Sequence, residues 1–120
     1  MLKERLTILL ENNVITQDVF DYVLEVHEEI ISVEKIDGSP MEVFLTHLAM
    51  ATQRIVNQDI VNGMEEAILD DFKSSDYFED AKRISDLIVQ KSFITIPESE
   101  QHYFWLHLSS ALQERGQPND

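Results

Sequence analysis

The sequence predicts an all-α fold, a compact bundle of about five helices with a short additional helix at the N-terminus. The 120-residue chain contains only three Gly and three Pro, and these fall at the ends of segments. Between them, apolar residues recur at the three- and four-residue spacing of amphipathic helices. A chain of this length is expected to form one domain, residues 1–120, around a single core.

The first half of the chain predicts three helices. Residues 2–12 form the short N-terminal one. Thr16 is expected to cap the second, whose apolar face carries Phe20, Val23, Leu24, His27 and Ile31. The segment 39–42, Ser-Pro-Met-Glu, is a capping box with proline at the first helical position, and it predicts the start of the third helix. That helix places on one stripe Phe44, Leu48, Ala51 and Ile55.

The second half predicts three more. A short helix is expected over 64–72 after Gly63, and another begins at 74–76. The buried face of the latter is predicted to carry Phe78, Ala81, Ile84, Leu87 and Ile88. Residues 93–96 favour β-structure, but they are too few for a strand without a partner, so an extended link is expected. The last helix runs from Glu98 to about 115, and residues 116–120 are expected to fray.

Composition narrows the function classes. Nine basic residues stand against 23 acidic ones, a net charge of −14, which argues against binding to nucleic acid or anionic membranes. The acidity either only keeps the protein soluble or forms a docking surface for a basic partner. There is no cysteine, and neither a signal peptide nor a transmembrane segment is apparent, so a cytoplasmic location is expected.

Two of the four histidines have a charged residue seven positions away, close to the same angle on their helix. His47 lies at the edge of the apolar stripe of its helix and is followed by Arg54. His107 lies at a similar edge of the last helix and is preceded by Glu100. If the two stripes pack together, all four side chains converge on one cleft.

The other two histidines are placed differently. His102 is predicted to be on the surface, whereas His27 falls in the middle of an apolar face, where it is expected to be buried beside the site. Such histidines are often structural groups that only satisfy hydrogen bonds. A metal site is chemically possible, although no ligand-spacing motif supports one; its ligands would be His27, His47, His107 and Glu100. No nucleophile elbow or phosphate loop suggests hydrolysis.

Three segments together resemble a known family. Residues 43–54, VFLTHLAMATQR, contain a histidine followed seven residues later by arginine, and residues 96–108 contain a helix start after proline, an acid, and a Leu-His pair. Residues 77–84 resemble the helix that precedes the second motif. The pattern is similar to the phosphotransferase-system regulation domain of bacterial antiterminators and transcriptional activators. It covers about residues 19–112, so 1–13 would be an extra helix against the bundle or another subunit.

The resemblance implies a bundle of about five helices that receives phosphoryl groups on histidine, regulates transcription and is not an enzyme. It makes His47 and His107 candidate phosphoacceptors, Arg54 a phosphate neighbour and Glu100 a partner of the second imidazole. The expected partners are a phosphocarrier or an EIIB-type protein of the phosphotransferase system, a second copy in a homodimer, and an effector bound in trans, since no nucleic-acid-binding module is attached. Neither a cofactor nor a metal is expected.

One departure keeps an alternative open. Family members usually carry an acidic residue directly before the first histidine, and here Thr46 stands there. The alternative to a phosphoacceptor is therefore a helical protein-binding module that kept the fold without the phosphorylation. A His/Glu metal-binding protein is the third hypothesis. Thr46 and His27 are both expected to be neighbours of the site.

Overall fold

The computed structural model describes residues 2–36, 38–59 and 65–116, and helices account for most of them. No strand occurs in these ranges; residues 93–97 form a non-helical link, as predicted. The all-α bundle is confirmed. The predicted Gly63 boundary and the tail 117–120 lie outside the described residues. The helices are α1 Leu2–Glu11, α2 Gln17–Val26, α3 Ser32–Glu34, α4 Ser39–Val56, α5 Glu66–Lys73, α6 Phe78–Lys91 and α7 Glu98–Gly116, with a π-helical turn His27–Ile31 joining α2 to α3.

Helix α2 begins where the sequence predicts, but its buried face matches the prediction only in part, at Val23 and at Ile31 of the following turn. The Thr16 side chain caps the helix by accepting a hydrogen bond from the Val19 backbone. The buried residues of α2 are Val19, Tyr22, Val23 and Val26, and the π-helical turn continues this face to Ile30 and Ile31. The predicted stripe is wrong at Phe20, Leu24 and His27, which are only half-buried. Two adjacent apolar stripes run along this segment of the sequence, and the one that contains the valines packs against the rest of the bundle.

Helix α4 begins one residue before the predicted position. Ser39 is already helical, so its hydroxyl makes no capping bond, and Gly38 is the capping residue with φ +157°. The backbone carbonyl of Gly38 accepts from the amides of Met41 and Glu42. The capping box is therefore wrong, whereas Pro40 lies in the first turn, where its missing N–H leaves no hydrogen bond unmade.

Helices α4 and α7 form the centre of the bundle. The predicted stripe of α4 is buried in full, and α1, α2 and α7 all pack against this helix. Helix α7 lies between α4 and α6: Phe104 contacts Phe44 of α4, and Trp105 contacts Phe78 of α6, with ring centroids 5.7 and 5.4 Å apart. On α6 the predicted face is buried at Ala81, Ile84 and Ile88, whereas Phe78 is only half-buried and Leu87 is 37% exposed.

Helix α1 belongs to the same core. Leu2 and Leu6 are buried against α2 and α4, and the outward side of the helix carries Ile8, which is 60% exposed. The N-terminal segment thus lies against its own bundle. Of the two placements expected for residues 1–13, the one against the bundle is the one observed.

Polar contacts hold α6 against the α2–α3 unit. The buried Tyr22 hydroxyl donates to the backbone carbonyl of Ile88 at 2.8 Å. Closer to the surface, three ion pairs join α6 to α2, α3 and the turn between them. Arg83 pairs with Glu34 through two hydrogen bonds of 2.9 Å, and Lys91 pairs with both Glu25 and Glu29. No helix in the described part of the chain is long and apolar enough to cross a membrane.

Candidate functional site

A cleft of about 450 Å³ lies between α4 and α7. The ring of Phe44 on α4 packs against the ring of Phe104 on α7, and both rings line the cleft. The residues that line it are Phe44, His47, Leu48, Met50, Ala51, Arg54, Glu100, Tyr103, Phe104 and His107. The structure therefore brings the two seven-residue pairs of the sequence to one place. The reason is geometric, since each pair borders a stripe that the other helix covers.

The rings of His47 and His107 face each other across the cleft. Their centroids are 5.7 Å apart and their planes lie at 68°, in an edge-to-face arrangement. His47 is exposed, whereas His107 is half-buried and also packs on the ring of Phe44, at 5.5 Å. Within the described residues neither imidazole makes a hydrogen bond. A nitrogen of each ring is thus available to a group that enters the cleft.

The two charged residues of the cleft pair with each other. Nη2 of Arg54 donates to Oε2 of Glu100 at 3.4 Å, and the side chain of Glu100 is 3% exposed while that of Arg54 is 41% exposed. The hydrogen-bond partner of Glu100 is thus Arg54, and the expected contact between Glu100 and the His107 ring is not seen. Residue spacing locates each side chain on its own helix but gives no distance across the gap between helices.

Burial lowers the pKa of the His107 imidazole below its ordinary value of 6.5, and the nearby charge of His47 adds a smaller effect in the same direction. The neutral form of His107 therefore dominates near neutral pH. Only this form has an unprotonated ring nitrogen that can act as a nucleophile.

Three further residues singled out in the sequence lie outside the cleft lining. The Thr46 hydroxyl donates to the Glu42 backbone carbonyl at 2.8 Å, within α4. His27 opens the π-helical turn; it is half-buried where the sequence predicts a buried residue, and it does not line the cleft. His102, predicted on the surface, is 13% exposed and packs on Trp105, because α7 is covered on more than one side.

Met50 and Phe104 also line the cleft, although sequence reasoning did not single them out as site residues. Each lies three residues from a cleft histidine on the same helix, which is the pattern that could have identified them. Among the described residues no group of three or more His, Cys, Asp or Glu side chains is arranged to hold a metal ion.

A family model described as PRD domain matches residues 21–111. The chain belongs to this family, the phosphotransferase-system regulation domains, whose members interact with components of the phosphotransferase system. No curated protein and no solved structure matches the chain.

Proposed function

We propose that this domain accepts phosphoryl groups on His47 and His107 from phosphotransferase proteins, and that the modification regulates an effector partner. The observation that carries the proposal is the pair of imidazoles 5.7 Å apart in a cleft that Arg54 also lines. A phosphoryl group needs a nucleophilic nitrogen and a cation to balance its charge. The cleft offers both within one small volume.

The transfer step follows from the chemistry of the rings. The unprotonated nitrogen of a cleft imidazole attacks the phosphorus of a donor phosphohistidine. A new N–P bond forms as the donor's N–P bond breaks, and the bond's electron pair returns to the donor ring. The lowered pKa of His107 favours this step, because burial keeps the ring neutral. Candidate donors are a phosphocarrier and an EIIB-type protein.

Arg54 links the modification to the packing of the helices. Its guanidinium holds the buried carboxylate of Glu100 and carries donors that suit a phosphoryl oxygen. A phosphoryl group on either histidine competes with Glu100 for this cation. This competition weakens the contact between α4 and the first turn of α7. Phosphorylation therefore changes the packing of the two central helices.

In this scheme the domain is a phosphoryl receiver and not an enzyme. It requires no metal or cofactor, and we place it in the cytoplasm together with its donors. We also propose a homodimer whose association changes with phosphorylation. Sedimentation at micromolar concentration, with and without modification, tests this; a monomer in both forms contradicts it.

A second candidate is a binding module of the same fold that is never phosphorylated. The observation in its favour is Thr46, which stands directly before His47, carries no charge and donates its hydroxyl to the backbone of its own helix. The chain departs here from the family pattern, in which an acid usually precedes the first histidine. Without it, His47 has lost one support for phosphorylation, while the fold is unaffected.

Intact-mass measurement after incubation with phosphoenolpyruvate and purified phosphotransferase components separates the two candidates. The receiver gains phosphoryl mass, and the gain disappears when both His47→Gln and His107→Gln are present. Matched controls are His27→Gln and His102→Gln, since these histidines lie outside the cleft; both should leave the gain intact. An unmodified parent with every donor tested would leave the binding module as the better description.

A further inference from the structure

We propose that the cleft holds one phosphoryl group at a time, so that His47 and His107 act as two alternative positions of a single modification site. This proposal rests on the proposed function for its biological meaning. It also concerns a property of the cleft that can be measured with any phosphoryl donor. Two donors that prefer different histidines would then exclude each other.

Geometry supplies the first support. The ring centroids of His47 and His107 are 5.7 Å apart, and both rings line the same cleft of about 450 Å³. Two phosphoryl groups on these rings would share one small cleft, at a separation comparable to the Debye length, about 8 Å at physiological ionic strength, so salt would screen their repulsion only in part.

The charge balance of the cleft is the second observation that supports single occupancy. Among the described residues that line it, Arg54 is the one with a fixed positive charge, and it already neutralises Glu100. A phosphoryl group adds about −1.5 to −2 at neutral pH. The first such group can take Arg54 from Glu100. A second group finds no further cation in the lining, and it faces both the first group and an unpaired carboxylate, in a chain whose net charge is already −14.

Phosphoramidate, a small chemical donor to histidine, tests the proposal without any phosphotransferase protein. The protein is treated with excess reagent at neutral pH, and intact mass with fragmentation counts the phosphoryl groups on His47 and His107 within the same molecule. We expect saturation at one group across the two positions in the parent. His47→Gln and His107→Gln should each still accept one, and the double variant none in the cleft. Molecules with both histidines modified would overturn the proposal, as would a parent with neither modified.

A second positive charge in the cleft tests whether electrostatic repulsion causes the single occupancy. Met50 lines the cleft and is 41% exposed, so Met50→Arg places a second cation there. This variant should accept phosphoryl groups on both histidines. Val56→Arg is the matched control, because Val56 is similarly exposed on the same helix but outside the lining; it should stay at one group. Single occupancy in Met50→Arg would refute the electrostatic explanation.

The two proposals fail separately. If phosphotransferase proteins leave the chain unmodified while phosphoramidate adds one group, the proposed function is wrong and single occupancy stands. If phosphotransferase proteins modify both histidines of one molecule, the proposed function stands and single occupancy is wrong.

Discussion

Replacing Arg54 with methionine should destabilise the fold by leaving a carboxylate buried without its cation. Methionine has an unbranched apolar side chain that can replace the aliphatic part of arginine, so most of the packing is retained. The substitution removes the positive charge. The side chain of Glu100 is only 3% exposed and cannot turn to water without movement of α7. Arg54→Met therefore isolates the effect of the missing guanidinium.

The magnitude follows from how far the pair is buried. Removing one partner of a fully buried ion pair costs about 3–5 kcal/mol, whereas an exposed pair contributes about 0–1 kcal/mol. Here one side chain is buried, the other is 41% exposed, and the N–O distance is a long 3.4 Å. We expect a loss of about 2 kcal/mol for Arg54→Met. Glu100→Gln should cost less, about 0.5–1 kcal/mol, because the partly exposed guanidinium can turn to water.

Urea unfolding followed by far-UV circular dichroism measures both values. The double variant Arg54→Met/Glu100→Gln should recover most of the loss, because no buried charge is left unpaired. At about 4 °C per kcal/mol, Arg54→Met should also lower Tm by roughly 8 °C. An Arg54→Met variant as stable as the parent would refute the reasoning, and so would a Glu100→Gln variant that is the less stable of the two.

Three other predictions test the core and the pH dependence. Leu6→Ala should cost about 2–5 kcal/mol of unfolding free energy, since α1 is part of the core, while Ile8→Ala on the outward side should stay within about 0.5 kcal/mol. Tyr22→Phe should cost about 1–2 kcal/mol in the same urea assay, because it leaves a buried carbonyl of α6 without its donor. Because the pKa of His107 in the fold lies below 6.5, its stabilising contribution is complete above that pH and is lost as pH falls through the folded value. His47→Gln should raise the pKa of His107 in an NMR titration; an unchanged or lower value would contradict the assigned charge effect.

The sequence predicted four of the residues that line the cleft, and it did so from helix periodicity. Seven-residue spacing repeats an angle on a helix, so His47 with Arg54, and His107 with Glu100, could each be placed at the edge of a stripe. The residues of α4 that form the stripe are apolar and unambiguous, and all are buried. Where the apolar pattern of a helix allows only one buried face, the sequence located the side chains correctly.

Apart from the capping box, the errors occur where contacts between helices determine which side chains are buried or paired. His102 was assigned to the surface because a helix was assumed to bury one face, whereas α7 is packed against both α4 and α6. Leu87 continues the apolar pattern of α6 beyond the region that its neighbours cover. The ion pair between Arg54 and Glu100 is invisible to spacing, because it depends on the distance between two helices.

The position of Trp105 gives the protein an intrinsic optical probe. It is the single tryptophan of the chain, it is 5% exposed, and it lies on α7 against Phe78 and His102, whereas the cleft uses Phe104 and His107 of the same helix. Indole emission depends on the polarity around the ring. A shift of α7 at the cleft therefore changes fluorescence recorded on the far side of the helix, with no label and no substitution in the chain.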